Sequence, residues 1–515
     1  MANSRTKNSA LIMVFSGIRQ LLTFLLAFVS RTVFIYTLGA EYLGLNGLFT
    51  NILQFLSLTE LGIGSAIAFY LYKPLAVHDI ERVKVIMRFY RDCYRVVGLT
   101  MLGLGCLLMP FLSKLVNLDQ PIPDNLYLIY FLFLCNSAFT YLFFAYKQTL
   151  VMANQEQYRI EKVNIAFTFI NCLADVVILL LFRNFTIYLA VKVALVVVKN
   201  MVISAKIDKA YPYIKEPCSG RLGREEIKNL FKDVYSVSVF RVGNTLVNSV
   251  TNIIISACLG TIIVGYYSNY LLITSSVMMT FMLFVNSFTA GIGNVMVTET
   301  SEKQYRVYKT LNLMSFFVYM LFTICLFQLS NSFINLWVGN LHKDYVLSQW
   351  AVVAICLNFY LDCNAQIINA FRNGSGHFKT GRYLTVYGGM ANVVASLVGA
   401  KLFGLIGVLF APPIVKTFIT TIPFFILIGR DVFRKPAWEM LKDQGGKFLF
   451  TIAGCALVWI TCRSFHQTTL SMFIVEIVLT ILITSALLWV IYGRSPEFAT
   501  IKGKVLRYIN QKRNP

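Results

Sequence analysis

Fourteen apolar runs, each close to the length that crosses a bilayer, leave this chain few ways to fold. A helix spans the hydrocarbon layer in about 20 residues. Within that layer every backbone polar group must be satisfied internally, which restricts a spanning chain to helices or a closed barrel. The runs fall at roughly 11–37, 43–72, 88–112, 124–145, 160–182, 185–205, 234–258, 262–290, 310–337, 346–371, 382–400, 403–429, 447–462 and 469–492. They are too long for barrel strands. Only 14% of the 515 residues are charged, against about 25% in a soluble domain. The expected fold is an all-α polytopic membrane protein of about fourteen transmembrane helices.

The net charge of +22 first suggests nucleic acid as a partner, but its distribution argues otherwise. Of the 46 Lys and Arg residues, 35 lie in the segments on the side of the N-terminus, 5 on the opposite side and 6 inside the runs. Basic residues accumulate on the cytoplasmic side of a membrane, so both termini are expected in the cytoplasm, and no nucleic-acid role is expected. The N-terminal MANSRTKNSALIM has the basic flank of a signal peptide. The run behind it reaches about Leu38, twice the usual length of a signal core, so a retained first span is expected.

A second regularity is internal. Span one ends at Leu38-Gly39 with Gly44 following, and span seven ends at Leu259-Gly260 with Gly265 following. Leu61-Gly62-Ile63-Gly64 in span two is matched by Gly291-Ile292-Gly293 in span eight. These landmarks predict a duplicated six-helix unit. Six is even, so the halves share orientation and form a parallel repeat. The expected division is 1–232 for an N-terminal lobe with its linker, 233–445 for a C-terminal lobe, and 446–515 for two extra C-terminal helices and a basic cytoplasmic tail. In the linker, GRLGREEIKNLFKDVYSV sets Ile227, Leu230, Phe231 and Val234 opposite Arg224, Lys228 and Lys232. That pattern fits a helix lying on the anionic inner leaflet, or the solvated start of span seven.

Charges inside spans mark functional candidates, because each costs on the order of 3 kcal/mol at mid-bilayer. They are Arg19, Arg31, Lys192, Lys199, Arg241 and Lys416 against Glu60, Asp175, Asp362 and Glu476. Moving the repeat by 221 residues carries Arg19 to within one residue of Arg241, and Arg31 onto Asn252. On span one, Gln20 and Arg31 are three turns apart on one face, beside Ser16 and Thr23. Such a polar stripe suits a helix lining a hydrated cavity between two lobes, and arginine grips phosphate bidentately. Arg19, Arg31, Arg241, Gln20 and Asn252 are therefore the expected substrate-binding residues.

Glu60 differs in kind. An apolar setting raises a carboxylate's pKa into the range where it exchanges protons; the competing expectation is an ion pair with an arginine of span one. Asp362, near Asn358, Asn364 and Gln366, admits the same two roles. Asp175, Lys192, Lys416 and Glu476 are expected to be structural pairs or groove residues.

Other chemistries lack their motifs. Gly376-His-Phe-Lys-Thr-Gly381-Arg382 lacks the Lys-Ser/Thr ending of a nucleotide-binding loop. No Asp-x-Asp is present, the four histidines are scattered, and none of the eleven cysteines forms Cys-x-x-Cys. Neither an enzyme nor a metal site is expected, and no cofactor beyond a coupling ion, H+ or Na+. Outer loops are too short to form the catalytic domain of a membrane polymerase or ligase.

The segment Arg31-Thr-Val-Phe-Ile-Tyr-Thr-Leu-Gly, through Tyr42-Leu-Gly-Leu-Asn-Gly-Leu-Phe-Thr-Asn-Ile-Leu, to Glu60-Leu-Gly-Ile-Gly-Ser-Ala-Ile resembles the opening helices of bacterial polysaccharide transporters. These are the oligosaccharide repeat-unit flippases of the multidrug/oligosaccharidyl-lipid/polysaccharide (MOP) exporter superfamily. Ala153-Asn-Gln-Glu-Gln-Tyr-Arg159 is a second match. The resemblance implies two six-helix lobes around a cavity that opens alternately to each side. It implies a substrate made of an oligosaccharide repeat unit on undecaprenyl diphosphate, moved to the outer leaflet of the bacterial inner membrane for capsule, O-antigen or exopolysaccharide synthesis. The implied partners are that lipid-linked glycan, membrane lipids, a polymerase and other assembly proteins. Arg31 and Glu60 lie within the matched segment, whereas Arg19, Arg241 and Asp362 rest on depth and stripe alone. Spans thirteen and fourteen would offer a groove for the lipid tail. Rival expectations are a cation-coupled multidrug exporter of the same architecture, which needs an acidic pocket, and a peptidoglycan lipid-precursor flippase.

Overall fold

The structure is a computed structural model describing residues 2–60, 63–118, 121–142, 146–154, 156–218, 220–341, 343–377, 380–463, 469–493 and 498. The side chains of residues 2–14 and of scattered helical positions, Arg241 among them, lie outside the described residues. The fold is all-helical, with no strand among the described residues.

Each of the fourteen expected runs coincides with helix. The first two share Ala2–Leu56, which is broken at Gly39 (φ 83, ψ −172). Span two then continues through Ser57–Glu60 into Ile63–Ala76. Spans three to six are Ile80–Leu108, Leu126–Leu142 with Tyr146–Ala153, Tyr158–Phe182 and Phe185–Ala210. Spans seven to ten are Arg224–Leu259, Thr261–Thr298, Ser301–Val338 and Gln349–Gly374. Arg382–Val415 breaks at Gly404 and runs on to Phe433, supplying spans eleven and twelve. Ala437–Cys462 and Leu470–Tyr492 complete the set.

The 221-residue offset holds for landmarks the glycine pattern did not use. Spans three and nine begin at Ile80 and Ser301. The residues that turn spans five into six and eleven into twelve are Arg183 (φ 46) and Gly404 (φ 58), both left-handed. Gly39 (φ 83) and Gly260 (φ 107) make the corresponding earlier turns. Their ψ values, −172° and 158°, place them where a Cβ clashes with the neighbouring carbonyl. Replacing either by alanine is expected to cost about 1–3 kcal/mol, read as a lower thermal unfolding midpoint of the solubilised protein.

These two turns also touch. A Cβ on Gly44 would stand 1.9 Å from the carbonyl oxygen of Thr261, and one on Gly265 would stand 2.4 Å from that of Ala40. The offset converts one contact into the other, as a two-fold relation between repeats requires. Small residues let membrane helices approach backbone to backbone. The Thr261 amide and hydroxyl both donate to the Asn117 carbonyl, at 3.0 and 2.7 Å, and the Ser256 hydroxyl donates to that of Leu115.

The chain divides into two compact units, Met1–Gly265 and Tyr266–Pro515. Span seven, expected to open the second lobe at 233, is grouped with the first because its end is bonded to the loop after span three. Its start also differs from the interfacial element: 224–259 is one helix, so the linker pattern is the solvated beginning of span seven. Its apolar face is packed on protein only in part, since Phe231 stays exposed. Leu230 and Val234 are buried in a cluster with Ile86 and Tyr90 of span three, and Arg82 is paired with Glu226.

In the second unit, spans thirteen and fourteen pack along span nine. Gly454 admits Met320 and Ile324, Tyr492 meets the Phe316 ring edge-on, and Gln328 donates to Glu476 at 2.7 Å. Large apolar side chains such as Leu181, Phe403 and Trp489 remain exposed. On a water-soluble protein they would be a liability; on membrane helices they are the surface that lipid wets.

Candidate functional site

The expected stripe on span one separates into two environments. Arg19, toward the inner end, directs Nε to Glu161 Oε2 at 2.7 Å, and the other carboxylate oxygen receives Gln157 Nε2 at 3.3 Å. Glu161 is 1% exposed, so this pair fastens span one to span five. Gln20 beside it is half-buried.

Three turns up the helix, Arg31 stands beside a different group. Asp175 of span five lies 3.4 Å from the Lys192 ammonium of span six, and that ammonium sits 4.5 Å above the Tyr188 ring. Arg31 is within electrostatic reach of Tyr188. A sequence reading cannot assemble this cluster, because its members come from positions 31, 175, 188 and 192.

Lys192 also opens onto a chamber of about 460 Å³ inside the first unit. One wall carries Asn46, Thr50, Gln54 and Ser57 of span two, and another carries Asn136, Ser137, Thr140 and Tyr141 of span four. Helical spacing places 46, 50, 54 and 57 on one face, a signal the sequence contained and the charge-led reading passed over. Leu53, Met101, Phe133 and Leu189 supply apolar surface between the polar groups.

Glu60 ends the short turn between the two halves of span two. Its ion pair with span one is not formed. Tyr94 donates to Oε1 at 2.8 Å and Tyr141 to Oε2 at 3.1 Å. Among the described residues no Lys or Arg is within 4 Å of it. Gly64 leaves room for this arrangement, since a Cβ there would lie 3.0 Å from Tyr90 Oη. Tyr141 both holds Glu60 and lines the chamber, which connects a titratable carboxylate to the cavity through one phenol.

In the second unit, Asp362 takes the ion-pair alternative. Lys416 Nζ lies 2.6 Å from Oδ1, and Asn358 Nδ2 donates to Oδ2 at 3.3 Å. Gln366 bonds the Asp362 backbone carbonyl instead of its carboxylate. Lys416 begins a π-helical stretch, Lys416–Thr421, three residues after Pro413. π-turns occur frequently at functional sites. Asp362→Asn would remove the carboxylate from beside a lysine whose side chain is 10% exposed. Breaking one half of such a pair costs about 3–5 kcal/mol. Adding Lys416→Met is expected to recover most of the loss in thermal unfolding.

Asn252, the repeat counterpart of Arg31, is 3% exposed, and its Oδ1 has no hydrogen-bond partner. It belongs to the packed interior of span seven. The Arg241 side chain lies outside the described residues. No group of three or more His, Cys, Asp or Glu suited to a metal occurs among the described residues.

No protein-family profile and no curated protein matches the chain. Solved structures do. An inward-closed structure of the lipid II flippase MurJ superposes with a TM-score of 0.67 at 14% identity, covering 93% of this chain and 99% of that one. An inward-facing multidrug resistance MATE family transporter of the MOP superfamily gives 0.64 at 14% identity, covering 80% and 94%. Its outward-facing counterpart gives 0.58 at 14%, covering 83% and 95%. The chain has the fold of MOP superfamily transporters. Likeness at this identity is a likeness of fold.

Proposed function

We propose that this protein is a flippase for oligosaccharide repeat units linked to undecaprenyl diphosphate. It carries them by alternating access from the cytoplasmic to the outer leaflet of the bacterial inner membrane, with both termini cytoplasmic. The product feeds capsule, O-antigen or exopolysaccharide assembly, where a polymerase and other assembly proteins act next. One observation carries this reading: a polar chamber in the first unit lies in the positive field of a lysine, Lys192, in its wall. An anionic headgroup gains from that field, and a cationic drug is repelled by it.

The reading predicts that deleting the gene abolishes surface polysaccharide, and that wild-type protein restores it while Arg31→Gln does not. Resistance to cationic dyes with unchanged polysaccharide would establish the drug exporter instead. The match to MurJ along nearly its whole length favours a second reading, a peptidoglycan lipid-precursor flippase. Rescue of cells depleted of their lipid II flippase would establish that one.

Coupling is assigned to Glu60, with H+ or Na+ as the driving ion and Asp362 as a second candidate. Glu60→Gln is expected to reduce export at least tenfold while lowering stability by only about 1–2 kcal/mol, the scale of one weakened tyrosine hydrogen bond. Polysaccharide yield and thermal unfolding of the same variant check the two halves.

A further inference from the structure

The chamber in the first unit has the chemistry of a sugar-binding site, and we propose that it holds a ring of the glycan that carries an acidic substituent. This rests on the flippase reading and deepens it. Sugars present closely spaced hydroxyls that need acceptors and donors on facing walls, and here Asn46, Thr50 and Gln54 face Asn136 across about 460 Å³. That volume lies within the range of small-molecule sites, about 300–1,000 Å³.

The hydrogen bonds leave the walls receptive. Thr50 Oγ1 donates to the Asn46 carbonyl at 2.6 Å, and Thr140 Oγ1 donates to the Asn136 carbonyl at 3.1 Å. With their protons committed to the helix, these hydroxyls present acceptor lone pairs. Asn136 Oδ1 is buried without a hydrogen-bond partner among the described residues. Buried amide oxygens are normally satisfied, so Asn136 keeps unused hydrogen-bonding capacity at this wall.

Lys192 supplies the acidic preference. Its separation from Asp175 is 3.4 Å, whereas Arg19–Glu161, Lys147–Asp208 and Lys416–Asp362 close to 2.7, 2.6 and 2.6 Å. Its side chain is 35% exposed, against 6% for Lys147 and 10% for Lys416. Lys192 is held loosely enough to turn toward a carboxylate or phosphate on the bound ring.

The experiment uses the full chain in lipid nanodiscs, with calorimetric titration of three probes: a hyaluronan tetrasaccharide, maltotetraose and inorganic pyrophosphate. Both sugars are expected to bind the wild type, with the acidic one tighter. Thr50→Val and Asn136→Leu should each weaken both sugars about tenfold. Lys192→Gln should weaken only the acidic sugar, and Lys192→Arg should restore it. Thermal unfolding of each variant checks its fold, and Lys192→Gln/Asp175→Asn repeats the test without a stranded carboxylate. The proposal is overturned if neither sugar binds, if Thr50→Val and Asn136→Leu bind like wild type, or if Lys192→Gln loses pyrophosphate alone. Sugar binding in a protein whose deletion leaves surface polysaccharide unchanged would keep this site and remove the flippase reading. Lost polysaccharide with no sugar binding would do the reverse.

Discussion

Gly44→Val is expected to prevent accumulation of folded protein. Its Cβ would meet the Thr261 carbonyl at 1.9 Å, less than two-thirds of a normal contact, and the obstacle is main chain. Overpacking a well-packed interior against movable side chains costs about 1–3 kcal/mol. Here the neighbour has no rotamer to change, because the Thr261 amide and hydroxyl are tied to Asn117. The penalty should reach or exceed the upper end of that range, a large fraction of the 5–15 kcal/mol that stabilises a typical protein. Gly265→Val should behave alike through Ala40, whereas Gly17→Val, with no atom within 4 Å of its Cβ position, should accumulate normally. Fluorescence-detected size exclusion of the three variants separates these outcomes.

Glu161→Ala carries the second large effect. It leaves the Arg19 guanidinium without its carboxylate in a span, and removal of one partner from a buried pair costs about 3–5 kcal/mol. Arg19 retains 34% exposure, which places the expected loss near 3 kcal/mol. Replacing both residues by methionine removes charge and countercharge together, and stability should return to within about 1 kcal/mol of wild type. Export by the double variant then separates two roles for Arg19. Retained polysaccharide limits it to fastening span one to span five, and its loss in a folded protein adds contact with substrate.

The spans were legible because the hydrocarbon layer imposes length and apolarity on each helix separately. The repeat was legible because a backbone that turns at positive φ favours glycine, as at Gly39 and Gly260. The pairings of the charges were not. Glu60 was open between a proton site and a bond to span one, and its actual partners, Tyr94 and Tyr141, lie 34 and 81 positions away with no charge to announce them. Glu161, in the first turn of span five, was not among the charges read as lying inside spans, and its pairing with Arg19 is 142 positions long. The chamber did leave a trace in the spacing of Asn46, Thr50, Gln54 and Ser57; hydroxyls and amides within an apolar run mark a face as surely as arginines do.

The meeting of Gly44 with Thr261 and of Gly265 with Ala40 has a genetic corollary. Main-chain oxygens are present whichever amino acid occupies a position, so no exchange at 261 or 40 can make room for a bulkier residue opposite. A search for revertants of Gly44→Val should therefore return glycine at 44 itself, since alanine carries the same clashing Cβ, with suppressors at 261 absent from the survivors.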